Sequence, residues 1–223
     1  MKKISSTIRK IRQKLLGDPK YVPARYWKKR HAKFGFDMRG VGNKSYSDEQ
    51  NRQDYAQAET IVLELCSEYV SNWSSLKVLD IGCGTGFYTE MLQRQGVKNY
   101  TGIDISDQLF PELRRRFPDY TFRKTDVTSE DLPDKSYNLV LMIDVTQHIV
   151  SEQGFARAME NVRSHLSSNG IFIVTSWLAD QTHKRTYYEL ARSFDCYTEQ
   201  FEGYKISQPV PFRDKYIFVV SNS

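Results

Sequence analysis

The chain is short of cysteine: Cys66, Cys83 and Cys196 are an odd and widely spaced set among 223 residues. They make neither a disulfide framework nor a zinc ligand set, so no metal is expected and a reducing cytoplasm is the expected setting. No apolar run approaches the ~18 residues that a membrane-spanning helix needs. The basic start is not followed by an uninterrupted apolar stretch, so no signal peptide is expected. Internal repeats and low-complexity segments are also missing. Acid is scarce in one place: from Met1 to Lys33 twelve Lys or Arg stand against Asp18 alone, a net +11 in a chain whose total is +5. The basicity therefore belongs to the N-terminal arm, and the remainder is mildly acidic.

What is present fits one globular α/β domain with an appendage, and the length is short for two domains. The opening "MKKISSTIRKIRQKLLGDPK" sets Ile4, Ile8, Ile11 and Leu15 on one stripe of a helix, with Lys and Arg on its other faces. Gly17 and Pro19 should end it. Three roles are open to this arm: contact with an anionic membrane surface through residues 1–20, binding of a polyanion, or packing on the domain with a solvated basic face. An aromatic, basic stretch follows, expected to be helical only in pieces. His31 with Tyr26, Trp27, Phe34, Phe36 and Tyr46 is placed to form a lid, or simply to pack. A second amphipathic helix is expected from about Ser47 to Val70, with Ser47 as its cap and Glu49 or Gln50 in its first turn. Residues 1–70 thus read as a basic arm and helical cap, and 71–223 as the core.

In that core, short apolar runs recur as "LKVLDI", "YTGIDI", "YTFRKT", "YNLVLMI" and "GIFIVTSW", with helix-like stretches between them. Such alternation indicates a parallel sheet covered on both faces. Near the end, "CYTEQF" and "KYIFVV" are separated only by a loop with Gly and Pro, and predict an antiparallel pair on the sheet edge.

After the first run come Gly82, Gly84 and Gly86, then a helix expected from Tyr88 to Arg94. A glycine loop between a first parallel strand and a helix lets backbone approach a ligand closely. A dinucleotide fingerprint would put a third glycine at 87, which is Phe87. The spacing here is G-x-G-x-G instead, with Asp80 two residues before the first glycine. A dehydrogenase-like nucleotide binder is disfavoured on that ground.

"LDIGCGTG" resembles the first motif of class I S-adenosylmethionine-dependent methyltransferases. The resemblance spans roughly Ser71 to Trp177 and extends more loosely, through "RYWKKRHAKFGFD", to bacterial enzymes acting on small molecules. It implies a three-layer α/β/α sandwich with a mostly parallel seven-stranded sheet, whose edge hairpin supplies the sixth and seventh strands. It implies that the backbone from Gly82 through Cys83 and Gly84 to Gly86 lies along the methionine part of S-adenosylmethionine, with Asp80 near its cationic amino end. Asp104, 20 residues after Gly84, is then the acceptor for the ribose hydroxyls, and Ile105 packs on the adenine. Asp126 accepts from the adenine amino group and Val127 donates a backbone N–H. The family often has Lys-Pro-Gly-Gly before the fifth strand; here "SSNG" stands there, with Asn169 and Gly170 expected to make the turn.

Asp144, at the fourth-strand position, and His148, four residues on, are the candidate catalytic residues beside the reacting methyl. A base is needed only if the acceptor is a protonated oxygen or amine, and a packing role for His148 is equally open. His183 is a lesser candidate. Base-amino methylation is disfavoured because "IDVTQ" lacks the Asn/Asp-Pro-Pro-aromatic motif, and cytosine C5 chemistry because no cysteine follows a proline. The double-Glu loop that marks protein-arginine enzymes is absent too. The expectation is methyl transfer to a small-molecule acceptor, an O-methylation of a sugar or secondary metabolite. The alternatives are N-methylation, a lipid-linked, RNA or protein substrate recruited by the arm, or a non-catalytic cofactor-binding module.

Overall fold

The computed structural model describes residues 20–222, so the amphipathic stripe from Ile4 to Leu15 lies outside the described residues. Helix α1 spans Pro23–Phe34. Its first residue is a proline, whose missing N–H is one of those a helix start leaves unpaired anyway. Gly35, at φ +55°, ends it, and a single 3-10 turn at Met38–Gly40 follows. The expectation of a piecewise helical lead-in is met. Helix α2 runs Asp48–Ser67 and opens with a capping box. The Gln50 amide donates to Ser47 Oγ at 3.1 Å, and the Ser47 amide donates to Gln50 Oε1 at 2.9 Å. Two otherwise orphaned N–H groups are satisfied reciprocally.

The five apolar runs become β1 (Lys77–Ile81), β2 (Asn99–Asp104), β3 (Thr121–Lys124), β4 (Tyr137–Met142) and β5 (Leu166–Ser176). They are parallel, in the order β3-β2-β1-β4-β5. Strand β10 (Lys215–Ser221) pairs antiparallel to β5 and carries two short antiparallel partners, β8 (Lys205–Ile206) and β9 (Val210–Phe212). The main path has seven strands, and β9 on the same edge makes eight. A separate hairpin, β6 (His183–Thr186) with β7 (Glu189–Ala191), follows β5.

Side chains alternate across the sheet, as strand geometry requires. On one face Val78, Tyr100, Leu139 and Ile173 pack with α2, α3 (Phe87–Arg94) and α4 (Phe110–Arg116). On the other, Leu79, Ile81, Val140 and Phe172 pack with α5 (Glu152–His165) and α6 (Asp195–Gln200). This is the expected three-layer sandwich.

Two local expectations are corrected. "CYTEQF" is helix α6, not a strand, because its apolar residues obey the helical period. Tyr197 and Phe201, four apart, are both almost fully buried, with Tyr197 against Phe155 and Phe218 and Phe201 against Phe172. The sheet partner comes four residues later, as β8. The turn at Asn169 and Gly170 is a bulge inside β5: Tyr137 pairs with Leu166 but Leu139 with Ile171. A Cβ on Gly170 would meet the Tyr137 carbonyl at 2.7 Å, so the bulge presses backbone on backbone there. No helix among the described residues is long and apolar enough to cross a membrane.

Candidate functional site

Strand order reverses between β1 and β4, and α/β sheets open a crevice at the carboxyl ends of the strands at such a point. Here the crevice is a cavity of about 370 Å³. Its floor is made by the loops after β1, β2, β3 and β4, and α1 with the residues flanking it supplies the roof through Tyr21, Trp27, His31 and Val41.

The glycine loop is shaped by contacts as much as by conformation. Gly82, Gly84 and Gly86 have φ of +80°, +49° and +78°, the left-handed region that side chains disfavour. A Cβ on Gly82 would stand 2.3 Å from Val145 Cγ2, and one on Gly84 2.8 Å from Val41 Cγ1. The loop is pinched between the β4 loop and the cap, so its backbone forms the wall. Four of its amides are already spent: Gly82 and Cys83 donate to the Ile103 carbonyl at 2.7 and 3.0 Å, and Gly86 to the Cys83 carbonyl at 2.8 Å. The Gly84 amide donates to Asp104 Oδ2 at 3.1 Å. A loop whose N–H groups are consumed in this way suits a ligand without phosphates at this wall, unlike a nest of free amides.

Of the residues singled out from the sequence, Gly82, Gly84, Asp104, Ile105, Asp126, Val127, Asp144 and His148 line this one cavity. Asp104 is 7% exposed, and its second oxygen accepts from the Ser106 amide at 2.9 Å. The carboxylate is thereby held at a fixed angle. Burial raises its pKa, with His31 opposing. Asp126 accepts from the Thr128 amide and hydroxyl through Oδ1, at 3.0 and 2.6 Å. Gly86 lies behind the wall, where a Cβ would meet Leu113 of α4 at 2.5 Å. Cys83 and Asp80 also sit one layer back. Asp80 is buried at 1% exposure and accepts from the Tyr100 hydroxyl at 2.9 Å. Burial, with the Asp104 charge adding to it and Tyr100 opposing, pushes its carboxyl up to about 7.

Asp144, at φ +60°, borders the cavity with its carboxylate committed elsewhere. It forms ion pairs with Lys215 and, at 3.1 Å, with Arg213, which also reaches Asp54 at 2.9 Å. Burial would raise the Asp144 carboxyl, but the two cations outweigh it and hold it below the ordinary value.

His148 ends the single 3-10 turn Thr146–His148. Its ring stacks on Tyr188 at 5.8 Å and meets the Trp27 edge at 5.0 Å. The Nδ1 atom lies 3.1 Å from the Tyr188 carbonyl. A carbonyl only accepts, so Nδ1 carries the proton and Nε2 a lone pair. Burial pushes the imidazole down to about 3, with the Tyr188 carbonyl opposing; it is neutral at neutral pH. His183 is exposed, bonds the Gln181 carbonyl at 3.0 Å and does not line the cavity.

Several groups in or beside the cavity were not legible as site residues. Tyr21 and Val41 carry no motif. Tyr188 lies five residues past His183 in the segment already suspected, and the doublet "YY" at the tip of the β6–β7 hairpin was its one signal. Tyr26 stacks on Tyr188 at 4.9 Å, between α1 and this hairpin, and Trp27 and His31 line the cavity, whereas Tyr46 of the same aromatic set is exposed.

Residues 78–170 match the family model described as a methyltransferase domain. A dTDP-3-amino-3,4,6-trideoxy-alpha-D-glucopyranose N,N-dimethyltransferase of Streptomyces venezuelae is 25% identical over 130 residues, 58% of this chain and 54% of that protein. A malonyl-[acyl-carrier protein] O-methyltransferase of Bacillus cereus is 24% identical over 168 residues, 74% of this chain and 57% of that protein. The chain spans about half the length of the curated relatives it matches. The crystal structure of magnesium protoporphyrin IX methyltransferase from Synechocystis PCC 6803 with bound SAH (S-adenosylhomocysteine) aligns with a TM-score of 0.66 at 18% identity. That alignment covers 90% of this chain and 98% of the other, and carries the fold. Residues 78–170 thus match a methyltransferase-domain family, the fold is shared with a solved methyltransferase, and the glycine wall suits a cofactor lacking phosphates.

Proposed function

We propose that this protein methylates a hydroxyl group on a small acceptor, a sugar or secondary metabolite. The observation that carries the reading is His148: a neutral imidazole at the cavity wall, its tautomer set by the Tyr188 carbonyl so that Nε2 is the basic atom. One relative acts, by its own name, on an amino sugar, which agrees with a small acceptor; that relative is an N-methyltransferase and the other an O-methyltransferase, so a panel of both acceptor types separates oxygen from nitrogen.

When bound, S-adenosylmethionine supplies an electrophilic methyl group on a sulfonium. The chain's own residues then have six tasks. Gly82 and Gly84 present bare backbone to the methionine part. Asp104, held by two amides, accepts from the ribose hydroxyls, while Ile105 packs on the adenine. Asp126 Oδ2, the oxygen Thr128 leaves free, accepts from the adenine amino group, and the Val127 amide donates to the ring. The cap with Trp27 and Tyr188 excludes water and aligns the acceptor, and alignment of this kind is worth ~7–11 kcal/mol. His148 takes the acceptor's proton at Nε2. A hydroxyl that has begun to bond carbon is far more acidic than a free one, so an imidazole this weakly basic suffices. Asp144 positions the floor through Arg213 and Lys215 and exchanges no proton.

Calorimetric titration with S-adenosylhomocysteine, with NAD in parallel, tests the cofactor assignment: micromolar binding of the first alone is expected. Labelled methyl transfer to a panel of hydroxylated and amino acceptors tests the rest. His148→Ala should lower turnover at saturating substrate by ~10²–10⁴-fold, the span of general-base catalysis, with unchanged S-adenosylhomocysteine affinity. Unchanged turnover would make His148 a packing residue. Tight cofactor binding with no transfer to any acceptor would favour a non-catalytic binding module.

A further inference from the structure

His31 is 2% exposed, lines the cavity roof, and has no hydrogen-bond partner at either ring nitrogen. Leaving a buried donor or acceptor unpaired forfeits the hydration it had in the unfolded chain with nothing in return. Packing does not require it, because a phenyl ring would cover the same floor and leave no idle nitrogen. The imidazole cannot relieve itself by moving with its helix. The preceding residue, Arg30, is 7% exposed and ties α1 to the carbonyls of Arg39, at 3.0 and 3.2 Å, and Gly42. Val41, in that same tied loop, stands where a Cβ on Gly84 would be.

Across the cavity from His31 is Asp104, whose charge is the main influence opposing the burial that lowers the His31 pKa. That carboxylate is fixed by the Gly84 and Ser106 amides and does not turn to meet the ring. Chemically the two residues are complementary. An ionised Asp only accepts, whereas a neutral imidazole offers one N–H and one lone pair. A ribose diol has two O–H donors and oxygen lone pairs as well, so a carboxylate alone leaves its acceptor capacity unused. A donor on the opposite wall completes it.

We propose that His31 is a cofactor ligand, contributed by the lid, that binds the ribose hydroxyls from above while Asp104 binds them from below. The assignment rests on the S-adenosylmethionine reading and extends it. The cap then belongs to the cofactor site as well as to the acceptor site, and α1 in this pose is the closed, ligand-ready one.

The test is calorimetric titration of wild type and His31→Phe with two probes, S-adenosylhomocysteine and its 2′,3′-dideoxyribose analogue. His31→Phe should weaken the first by roughly tenfold, the equivalent of one hydrogen bond, and leave binding of the second unchanged. The unliganded melting temperature of the variant should be at or above wild type, because no idle nitrogen remains; this guards against a folding defect. His31→Gln, which keeps a donor and an acceptor, should recover part of the loss. Equal loss for both probes would overturn the assignment by placing His31 on another part of the cofactor. No loss for either would overturn it outright. If wild type itself failed to bind S-adenosylhomocysteine, the cofactor reading would fall and this assignment with it.

Discussion

Asp80 is a buried titratable group and His148 a half-buried one, and their effects on stability run in opposite directions with pH. The Asp80 carboxyl is pushed up to about 7 by burial, with the Asp104 charge adding to it. Between its ordinary value near 4 and 7, the folded state therefore binds more protons than the unfolded one, and stability falls as pH rises. For His148, pushed down to about 3 by burial, the unfolded state binds more protons between 3 and about 6.5, and stability rises with pH. From pH 4 to 6.5 the two slopes offset each other in the wild type. Asp80→Asn keeps an acceptor for the Tyr100 hydroxyl and removes the first slope. Its melting temperature should exceed wild type at pH 8, with the gap closing towards pH 4, and its own curve should climb between pH 4 and 6.5. A variant less stable than wild type at pH 8 would mean that the ionised carboxylate is compensated in a way the Tyr100 bond does not account for.

At the scale of elements, the floor of the site is tied to the sheet edge by charge. Asp144 follows β4, Arg213 sits in the β9–β10 turn, Lys215 opens β10, and Asp54 lies on α2. Removing one partner of the buried Asp144–Lys215 pair costs ~3–5 kcal/mol because a cation is left uncompensated. Lys215 is the cation that would be left unpaired, since Arg213 keeps Asp54. Asp144→Asn should lose stability in that range by urea unfolding, and adding Lys215→Met should restore most of it. Failure of the second change to restore anything would mean that the Asp144 backbone, at φ +60°, depends on its own side chain. None of this network was legible in advance: Asp144 was recognised as a site acid, but its partners lie 69 and 71 residues further on. The parallel strands were legible because each is a continuous apolar run bounded by polar helices. Helix α6 was misread because a six-residue stretch shows too little period to separate a strand from a helix when its two aromatics are four apart. The β6–β7 hairpin gave no signal, since His183, Lys184 and Arg185 are all exposed and carry no apolar alternation.

For the molecule as a whole, the floor and glycine wall of the cavity were more legible in the sequence than its roof, and the reason is physical. Wall residues stand at fixed offsets from strand ends, so G-x-G-x-G and two strand-terminal acids locate them. Roof residues come from α1, whose position follows from Arg30 capping two distant carbonyls and Val41 meeting Gly84, neither of which has a spacing rule. The roof is also the less buried part. Helix α1 is amphipathic over the cavity itself, with Trp27 and His31 turned to the site and Arg25, Lys28 and Lys29 exposed, while β1 and β4 are buried between two layers of helices. Amide exchange should therefore be slow in β1 and β4 with or without ligand, and faster in α1 when the site is empty. S-adenosylhomocysteine should slow exchange across Trp27–Phe34 and in the glycine loop together, because Val41 and His31 bring both to the same ligand. Protection of the glycine loop alone would mean that the cap closes on the acceptor and not on the cofactor, and the order of binding would then have to be acceptor last with the roof still open.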